Sequence, residues 1–386
     1  MYYVGVDIAK SNHVACITNQ GAEILQEAFT FKNDSIGFKT LLDHLEAYPI
    51  EDIVIGLEST AHYGEAFIHY FFKLGYRIAL INPLQTSAIR KSNIRACKND
   101  KIDSYVIAKS LILNDFRVLE NKDINHIQLK SLAKLRMNLV KTRTRTKIQL
   151  VAHLDQVFPE LATFFKNNLH SNTLYSLFEI SSLPRDISRM NLTKLSNILV
   201  KASRGKFNKE TAHNLKNLAS NSIGINDDII NLEVKLAVER IKMLNQQISI
   251  VEEKASALLV NVSSVLTTIP GISENAACAI LGYIGDIKRF SNAKQLIAFA
   301  GLDPRTYQSG NFNATNTRMS KRGNSILRYH LIYSAHNIVK NNELFKQYYD
   351  RKISLGKKHY NALGHVATKL LRVIFKMLQD NISFQA

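Results

Sequence analysis

The sequence predicts an α/β domain followed by a helical middle segment and a mainly helical C-terminal domain, and three observations support this order. Runs of β-branched and aromatic residues alternate with helical patterns over residues 1–110. A heptad pattern of apolar residues extends from Ile230 to Val262. With 46% apolar residues, 16 Gly and 6 Pro, the 386-residue chain can bury a substantial core, which excludes a disordered or fibrous protein.

The predicted first domain contains strands and helices in the order β-β-β-α-β-α-β. The strand runs are YYVGVDIA, HVACITNQ, ILQEAFTF, DIVIGLES and YRIALINP, and the helical patterns are SIGFKTLLDHLEAY and GEAFIHYFFKLG. Three opening strands that pair as a meander, followed by alternating helices and strands, indicate a mixed sheet rather than a doubly wound parallel sheet. This is the order of a ribonuclease-H-like domain.

Charge is unevenly distributed along the chain. Residues 1–110 carry 11 basic and 12 acidic residues, residues 111–260 carry 22 and 14, and residues 261–386 carry 17 and 6. The formal net charge of +18 therefore comes from the last two-thirds of the sequence, as is typical of segments that bind a polyanion such as nucleic acid. A generally basic surface without a partner is the alternative.

Four acidic residues are predicted to meet at one end of the first-domain sheet. Asp7 and Glu58 each end an apolar strand run, and Asp100 and Asp103 lie three residues apart where a helical pattern begins. Close carboxylates repel one another unless a cation compensates, and all-oxygen sites favour hard ions such as Mg²⁺ or Mn²⁺ over zinc. For Asp100 and Asp103 taken alone, capping of a helix N-terminus is the more ordinary role.

The motifs around these acids resemble a known family. G-x-D-x-x-K spans residues 5–10, GLESTAHYG surrounds Glu58, and K-x-D-x-x-D spans residues 98–103. In this order the motifs resemble the DEDD transposases of the insertion-sequence 110 family, relatives of Piv-type site-specific invertases. The resemblance implies a RuvC-like domain whose Asp-Glu-Asp-Asp set, here Asp7, Glu58, Asp100 and Asp103, binds a divalent metal. The family's usual Ala after the last Asp is Ser104 here.

The C-terminal segment carries a second part of the resemblance. It shares with the family the pattern GL-x-P, a Ser-Gly pair, and S-K-R-G-N before L-R, matched by residues 301–304, 309–310 and 320–328. The resemblance implies a serine nucleophile in this domain. Ser309 matches the Ser-Gly pair, and the following Gly310 permits tight backbone geometry. Ser320, beside Lys321 and Arg322, is the alternative nucleophile.

A basic helix is predicted between the first domain and the middle segment. No acid occurs from residue 124 to residue 154, while seven cations accumulate on a helical pattern. Because a polyanion would relieve their repulsion and release counterions, we expect a face that follows phosphates. A solvated face is the alternative, since no aromatic residue interleaves for base stacking. The predicted nucleic-acid-binding residues are Lys130, Lys134, Lys141, Arg143, Arg145 and Lys147, with Lys321, Arg322 and Arg328 in the C-terminal segment.

The heptad pattern predicts a coiled coil that joins copies of the chain into a dimer or tetramer. Its ten seam residues are Ile230, Val234, Ala237, Ile241, Leu244, Ile248, Val251, Ala255, Leu258 and Val262. A long helix packed inside its own domain is the alternative. The predicted domains are therefore residues 1–150, a RuvC-like catalytic domain with the basic helix; 151–262, a helical insertion and coiled coil; and 263–386, a C-terminal transposase domain.

These features predict a DNA transposase or site-specific recombinase that breaks and rejoins the strands of an insertion sequence, acting on donor and target DNA. The family resemblance further implies a structured noncoding guide RNA and a phosphoserine intermediate. A RuvC-like structure-selective endonuclease that hydrolyses DNA with metal-bound water is the alternative. A sugar-kinase-like or actin-like ATPase would need a later D-x-G loop and a glycine-rich adenosine motif, which the sequence lacks. A non-enzymatic DNA-organising protein would leave the four acids unexplained.

The expected location is the cytoplasm of a bacterium or archaeon, in contact with the nucleoid during activity. Asp7 interrupts the opening apolar run before it reaches the length of a secretory leader. The longest uncharged run, residues 255–273, contains several polar residues and a Pro-Gly break, so we expect no membrane span.

Overall fold

The chain forms two compact units, Met1–Ile124 and Asn125–Ala386. The structure, a computed structural model, describes residues 1–58, 63–92, 100–262, 265–305, 308–309, 312–313 and 318–385. One 37-residue helix runs across the boundary between the units, so the first unit ends earlier than the predicted boundary at residue 150. The predicted boundaries at 150 and 262 remain predictions.

The first unit is a five-stranded mixed sheet with helices. Its strands are β1 (Tyr2–Asp7), β2 (Asn12–Asn19), β3 (Ile24–Lys32), β4 (Ile53–Glu58) and β5 (Arg77–Ile81). Its helices are α1 (Ser35–Leu45), α2 (Gly64–Lys73), α3 (Pro83–Ser92) and α4 (Asp100–Leu113). The order across the sheet is β3-β2-β1-β4-β5, with β2 antiparallel to β1 and β3, and β4 parallel to β1 and β5. This topology confirms the predicted ribonuclease-H-like (RuvC-like) domain.

Alternation of side chains along the strands creates two apolar layers. On one face, Val4 and Val6 of β1 pack with aromatic side chains of α1 and α2. On the other face, Tyr3 of β1 and Val54 of β4 pack with α4. Asp7 follows Tyr3 by four residues, so it lies on the face that α4 covers.

Close approach of α4 to β1 depends on Gly5. A Cβ atom at Gly5 would lie 2.0 Å from the carbonyl oxygen of Ser104 and 2.4 Å from the backbone nitrogen of Ala108. Only glycine permits that approach. The hydroxyl of buried Ser104 donates to the carbonyl of Lys101 at 2.9 Å, so the change from the family's Ala leaves no unpaired hydroxyl here. Gly5 thus allows the first turn of α4 to lie beside the end of β1.

The second unit is helical apart from a short hairpin, as far as its described residues show. Its long helices are α5 (Asn121–Val157), which begins in the first unit, and α11 (Asp228–Asn261). Between them lie α6 (Glu160–Phe164), α7 (Asn172–Phe178), α8 (Pro184–Arg189), α9 (Leu192–Ser203) and α10 (Lys209–Ser220). After them come α12 (Glu274–Ile284), α13 (Ala293–Ala300), the hairpin β6 (Gln308–Ser309) and β7 (Phe312–Asn313), α14 (Ser325–Asn341), α15 (Glu343–Ser354) and α16 (His359–Asp380).

Helices α5 and α11 run antiparallel and contribute to two cores. Near the start of α5, Arg136 pairs with Glu252, whereas near its end His153 pairs with Glu233 at 3.3 Å. The end of α5 and the start of α11 enclose one core with α6–α10, which we call the middle lobe. The start of α5 and the end of α11 join a second core with α12–α16.

The predicted seam of α11 is buried within the same chain. The heptad pattern predicted a long helix where α11 lies, but Val234, Ile241 and Ala255 of the seam are buried in the two cores with residues of α5. The sequence pattern could not distinguish a coiled coil between two copies from packing within one chain. An antiparallel helix of the same chain covers a seam with a period of 3.5 as well as a helix of a second copy does. The seam is therefore already covered.

No helix in the described ranges is both long enough and apolar enough to cross a membrane.

Candidate active site and nucleic-acid interface

The two strand-end acids lie side by side at one edge of the sheet. β1 and β4 are parallel neighbours, and Val6 of β1 pairs with Leu57 of β4. Asp7 and Glu58 are the next residues on their strands, and both alternate onto the face that α4 covers. Their carboxylates therefore occupy one corner of the first unit.

The other two acids come from the first turn of α4. Asp100 begins this helix and Asp103 lies three residues later, so both point to the same side of the turn. Asp103 is only 7% exposed, whereas Asp100 is exposed. The close contact of Gly5 with Ser104 and Ala108 brings the start of α4 next to β1.

The electrostatics of Asp7 show that the four carboxylates interact. Burial raises the pKa of Asp7 to about 6, and the negative charges of Asp103, Asp100 and Glu58 add to that rise. The guanidinium of Arg90 acts in the opposite direction. A bound cation would favour the charged form of such a half-buried acid, because it would offset the repulsion from the three other carboxylates.

Two residues of α3 that the sequence analysis missed bind these carboxylates. The Nη2 atom of Arg90 lies 2.8 Å from Oδ1 of Asp103. The hydroxyl of Thr86 donates to Oε1 of Glu58 at 2.5 Å. Thr86 and Arg90 are four residues apart and share one face of α3. A hydroxyl and a cation at this spacing, in the helix that directly follows β5, are the signal that would have identified them.

The donor set suits a hard divalent ion, although its side chains stand apart in this conformation. Among the described residues, no group of three or more His, Cys, Asp or Glu side chains is close enough to hold a metal ion. Oδ1 of Asp103 is buried and, within the same ranges, has the Arg90 ion pair but no well-aligned hydrogen bond. The four acids nevertheless provide the oxygen donors that such an ion prefers, and three of them raise the pKa of Asp7 after burial does. Arg90 offsets part of this negative charge.

The cations of α5 divide between two faces. Because an α-helix turns about 100° per residue, Lys130, Lys134, Lys141 and Arg145 fall within about 60° of one another. All four are exposed. We call them the outward cationic stripe, and its geometry is suited to a run of phosphates.

The remaining predicted cations of α5 face α11. Nη1 of Arg143 donates to Oδ1 of Asn245 at 2.8 Å. Lys147 is half-buried, and burial followed by the charge of Arg143 lowers its pKa. Nucleic-acid binding by Arg143 and Lys147 stays a prediction, but the structure assigns Arg143 a contact within the chain.

The C-terminal loop holds Ser320 inside the protein. Ser320 is 6% exposed, and its hydroxyl donates to Oδ1 of Asp303 at 2.5 Å. Its backbone nitrogen also donates to the carbonyl of Asp303 at 2.8 Å. Lys321 and Arg322 beside it are exposed, whereas Nη1 of Arg328 donates to the carbonyl of Ala300 at 3.0 Å. Ser320 and Arg328 therefore have structural contacts.

The backbone of Ser309 pairs with Phe312 in the short hairpin of β6 and β7. Its side chain, and the whole of Gly310, lie outside the described residues, so the structure does not test Ser309 as nucleophile.

An aromatic pair near this loop also escaped the sequence analysis. Tyr329 and Tyr333 of α14 are 54% and 52% exposed, and their rings stack with centroids 6.3 Å apart. They lie in a stretch without acids from residue 304 to residue 342. Aromatic residues four apart in an acid-free helix were the available signal, since exposed rings stack on nucleic-acid bases.

Two protein-family models match this chain. A DEDD transposase model of the IS110 family matches residues 4–159. A second model, described as "Transposase IS116/IS110/IS902 family", matches residues 263–350. This chain belongs to the IS110 family. The four acids lie within the first match, and Ser309 and Ser320 lie within the second.

Two of the three relatives described here align with nearly the whole of this IS110-family chain. The "Insertion element IS110 uncharacterized 43.6 kDa protein" of Streptomyces coelicolor is 23% identical and covers 100% of this chain and 95% of its own. The "Pilin gene-inverting protein" of Moraxella lacunata is 23% identical, and the alignment covers 99% of this chain and 97% of that protein. The "Transposase for insertion sequence element IS1111A" of Coxiella burnetii is 26% identical, and the alignment covers 70% of this chain and 62% of that protein.

Membership of the IS110 family makes this chain an enzyme that acts on DNA, in recombination by transposition. It also implies the use of a divalent metal in general. The family match therefore supports the coarse function predicted from the sequence.

Proposed function

We propose that this chain breaks and rejoins DNA strands through Ser309, with Mg²⁺ or Mn²⁺ held by Asp7, Glu58, Asp100 and Asp103. The observation that supports the proposal best is the raised pKa of Asp7, because burial and, after it, the charges of three other acids oppose the ionisation of this carboxylate. Thr86 and Arg90 would position Glu58 and Asp103 for the ion. When bound, the ion would stabilise negative charge on the scissile phosphate.

The serine chemistry conserves the energy of the phosphodiester. The hydroxyl of Ser309 attacks phosphorus and loses its proton, and the bond from phosphorus to one deoxyribose oxygen breaks, leaving that oxygen as a hydroxyl. A hydroxyl of another DNA strand then attacks the phosphoserine and releases Ser309, so joining needs no ATP. Ser320 is the weaker candidate, since its hydroxyl is buried and bonded to Asp303.

The proposed partners are donor DNA, target DNA and a structured noncoding guide RNA. The second unit carries 37 basic and 17 acidic residues, and the outward cationic stripe lies within it. Such a surface supports binding of a large amount of nucleic acid without sequence readout. Sequencing the RNA that copurifies with the chain should give one enriched species from the flank of the element.

We also propose that a second copy packs on an outer stripe of α11. Although the predicted seam is covered, apolar residues at a heptad spacing remain exposed on the opposite side of this helix. They are Ile229, Leu232, Leu236, Met243 and Ile250. Two such stripes would bury each other, so the chain would form a homo-oligomer through a different face of the predicted coiled-coil helix.

The test of the catalytic proposal combines carboxylate and serine variants. Asp7→Asn, Glu58→Gln, Asp100→Asn and Asp103→Asn should each abolish recombination while nucleic-acid affinity stays within a few-fold. The exposed Asp43 of α1 provides a matched control, and Asp43→Asn should retain activity. Wild-type activity in two of the four variants would contradict a shared metal site.

The nucleophile is tested by trapping protein on nicked DNA with Mg²⁺ and denaturing it. The wild type, Ser320→Ala and the control Ser325→Ala should give a covalent adduct, and Ser309→Ala should not. An adduct that Ser320→Ala loses and Ser309→Ala keeps would move the assignment to Ser320. Active wild type without an adduct would favour the hydrolytic endonuclease.

A further inference from the structure

The middle lobe contains a cavity that neither family match covers. It has a volume of about 430 Å³ and lies between the segment that follows α6 and the end of α9. The first family match ends at residue 159 and the second begins at residue 263, so neither includes this region. A cavity of this size is within the range of ligand sites.

One wall of the cavity is aromatic. Phe164, Phe165 and Phe207 line it, with centroids 4.9 Å apart for Phe164 and Phe165 and 5.6 Å for Phe165 and Phe207. Phe165 is buried beneath, whereas Phe164 and Phe207 are only half-buried. Phe164 and Phe207 each pack edge-to-face on the buried ring, at interplanar angles of 73° and 80°. A half-buried phenyl ring held in this way can stack on a nucleic-acid base.

The rest of the lining is cationic and polar. Lys166 and Lys206 stand at the cavity, together with the exposed amides Asn168 and Asn172. In the described part of the chain, neither lysine belongs to an ion pair.

Acids of the middle lobe do not compensate these cations. Residues 160–225 hold nine Lys and Arg and four acids, and three of the acids have partners away from the cavity. Glu160 accepts from Ser222, Glu179 pairs with Lys242 on α11, and Asp186 accepts from Ser181. The fourth acid, Glu210, is exposed in the first turn of α10 and does not line the cavity. The cavity therefore combines an aromatic wall with two lysines and no acid in its lining.

We propose that this cavity binds one unpaired nucleotide of a single-stranded nucleic acid. The base would stack on the half-buried ring of Phe164 or Phe207, amides would contact its edge, and Lys166 and Lys206 would contact the flanking phosphates. A duplex does not fit, because its bases are stacked on one another and cannot enter a cavity. The inference rests on the proposed action on nucleic acid, and it adds a site that recognises unpaired segments.

The experiment measures binding of a short oligouridylate, a short oligothymidylate and a duplex of equal length across a salt series. Phe207→Leu should weaken single-strand binding about fivefold or more with the salt slope unchanged. Lys206→Gln should lower the log–log salt slope by about 0.7. Lys194→Gln removes the same charge from an exposed position of α9 outside the cavity, and it should leave single-strand binding near wild type. Duplex affinity should be unchanged in all three variants.

Crosslinking locates the bound base directly. An oligonucleotide with a photoreactive uracil should crosslink to peptides containing Phe164, Phe165 or Phe207, and the ribose and deoxyribose versions show which nucleic acid is preferred. Crosslinks confined to other peptides, or a Lys206→Gln variant that behaves as Lys194→Gln does, would overturn the proposal. Because Asp100→Asn should abolish strand breakage without changing the crosslink, failure of the catalytic proposal is distinguishable from failure of this one.

Discussion

At the scale of single residues, Arg90 sets the charge balance of the acidic corner. Its guanidinium is the cation that the structure places on Asp103, and it opposes the rise in the pKa of Asp7. Asp103 is buried, and a buried charge that loses its partner is costly. Arg90 therefore substitutes in part for an ion.

From this balance we expect Arg90→Gln to lower the free energy of unfolding of the metal-free chain by about 1–3 kcal/mol. Mg²⁺ should restore most of that loss, because an ion that binds only the folded chain stabilises it. Thermal unfolding in chelator and in Mg²⁺ checks this, with Lys73→Gln, an exposed cation at the end of α2, as the control. An equal loss in both buffers would contradict a role of Arg90 beside the ion.

His330 gives the chain a pH dependence that the acidic corner does not cause. It is 7% exposed in α14, and burial followed by the charge of Arg136 lowers its pKa from 6.5 to about 4. The unfolded chain therefore binds a proton at His330 that the folded chain excludes, and stability falls as the pH drops from about 6.5 towards 4.

We expect the wild type to lose about 2–3 kcal/mol more than His330→Gln over this interval. Urea unfolding at pH 7.5, 6 and 4.5 in chelator measures the difference, and these three values are about evenly spaced around the transition. Parallel losses in the two proteins would show that His330 is not responsible.

At the scale of elements, α5 has two functions on two faces. Its outward cationic stripe is free for phosphates, whereas Arg136 and Arg143 bind α11. The seven cations looked equivalent in the sequence, because only the position of α11 separates those with partners from those without.

Replacing Lys134, Lys141 and Arg145 by Ala should therefore reduce the log–log salt slope of duplex binding by about 0.9 for each phosphate that the variant no longer binds. The comparison is Arg143→Ala: the contact of Arg143 with Asn245 predicts a loss of stability, and a reduced slope as well would keep Arg143 among the nucleic-acid-binding residues. Salt titrations of affinity measure both, and an unchanged slope in the triple variant would make the stripe a solvated face.

The two sides of α11 should respond differently to substitution. Leu236→Glu with Met243→Glu on the outer stripe should shift the chain from oligomer to monomer without unfolding it. Ile241→Ala on the buried side should lower the free energy of unfolding by about 2–5 kcal/mol. Light scattering and urea unfolding give the two readouts, and an oligomer that survives the double substitution would place self-association elsewhere.

At the scale of the whole molecule, the candidate metal ligands and the excess of positive charge lie in different units. The four candidate metal ligands lie in Met1–Ile124, which has 13 basic and 15 acidic residues, whereas Asn125–Ala386 has 37 and 17. The first unit is suited to hold a cation, and the second to hold nucleic acid. Each property depends on residues of one unit.

A fragment from Asn121 to Ala386, which keeps α5 whole, should bind nucleic acid with a salt slope near that of the full chain. It should show no strand breakage, because it lacks all four acids. Filter binding and a nicking assay test the two statements, and the matched fragment Met1–Asn121 should bind only weakly. A fragment that binds no nucleic acid would show that the first unit contributes contacts.

The sequence was sufficient to predict those features that depend on local residue patterns. Strand order, the end positions of Asp7 and Glu58, and the long helix at residues 228–261 follow from periodicity and from acids that interrupt apolar runs. The contribution of Arg90 was missed, because its contact with Asp103, thirteen residues later, depends on how α3 and α4 pack. The partner of the α11 seam was hidden for the same reason.

The tip of the α5–α11 hairpin is a position where the chain can accept insertions and deletions. The chain enters the middle lobe at the end of α5 and leaves it at the start of α11. At this point Nδ1 of His153 lies 3.3 Å from Oε2 of Glu233. An insertion or deletion at this tip leaves the α12–α16 core and the acidic corner untouched. We expect relatives to lengthen, shorten or exchange this lobe over evolution, and so to acquire new nucleic-acid partners while their strand chemistry stays the same.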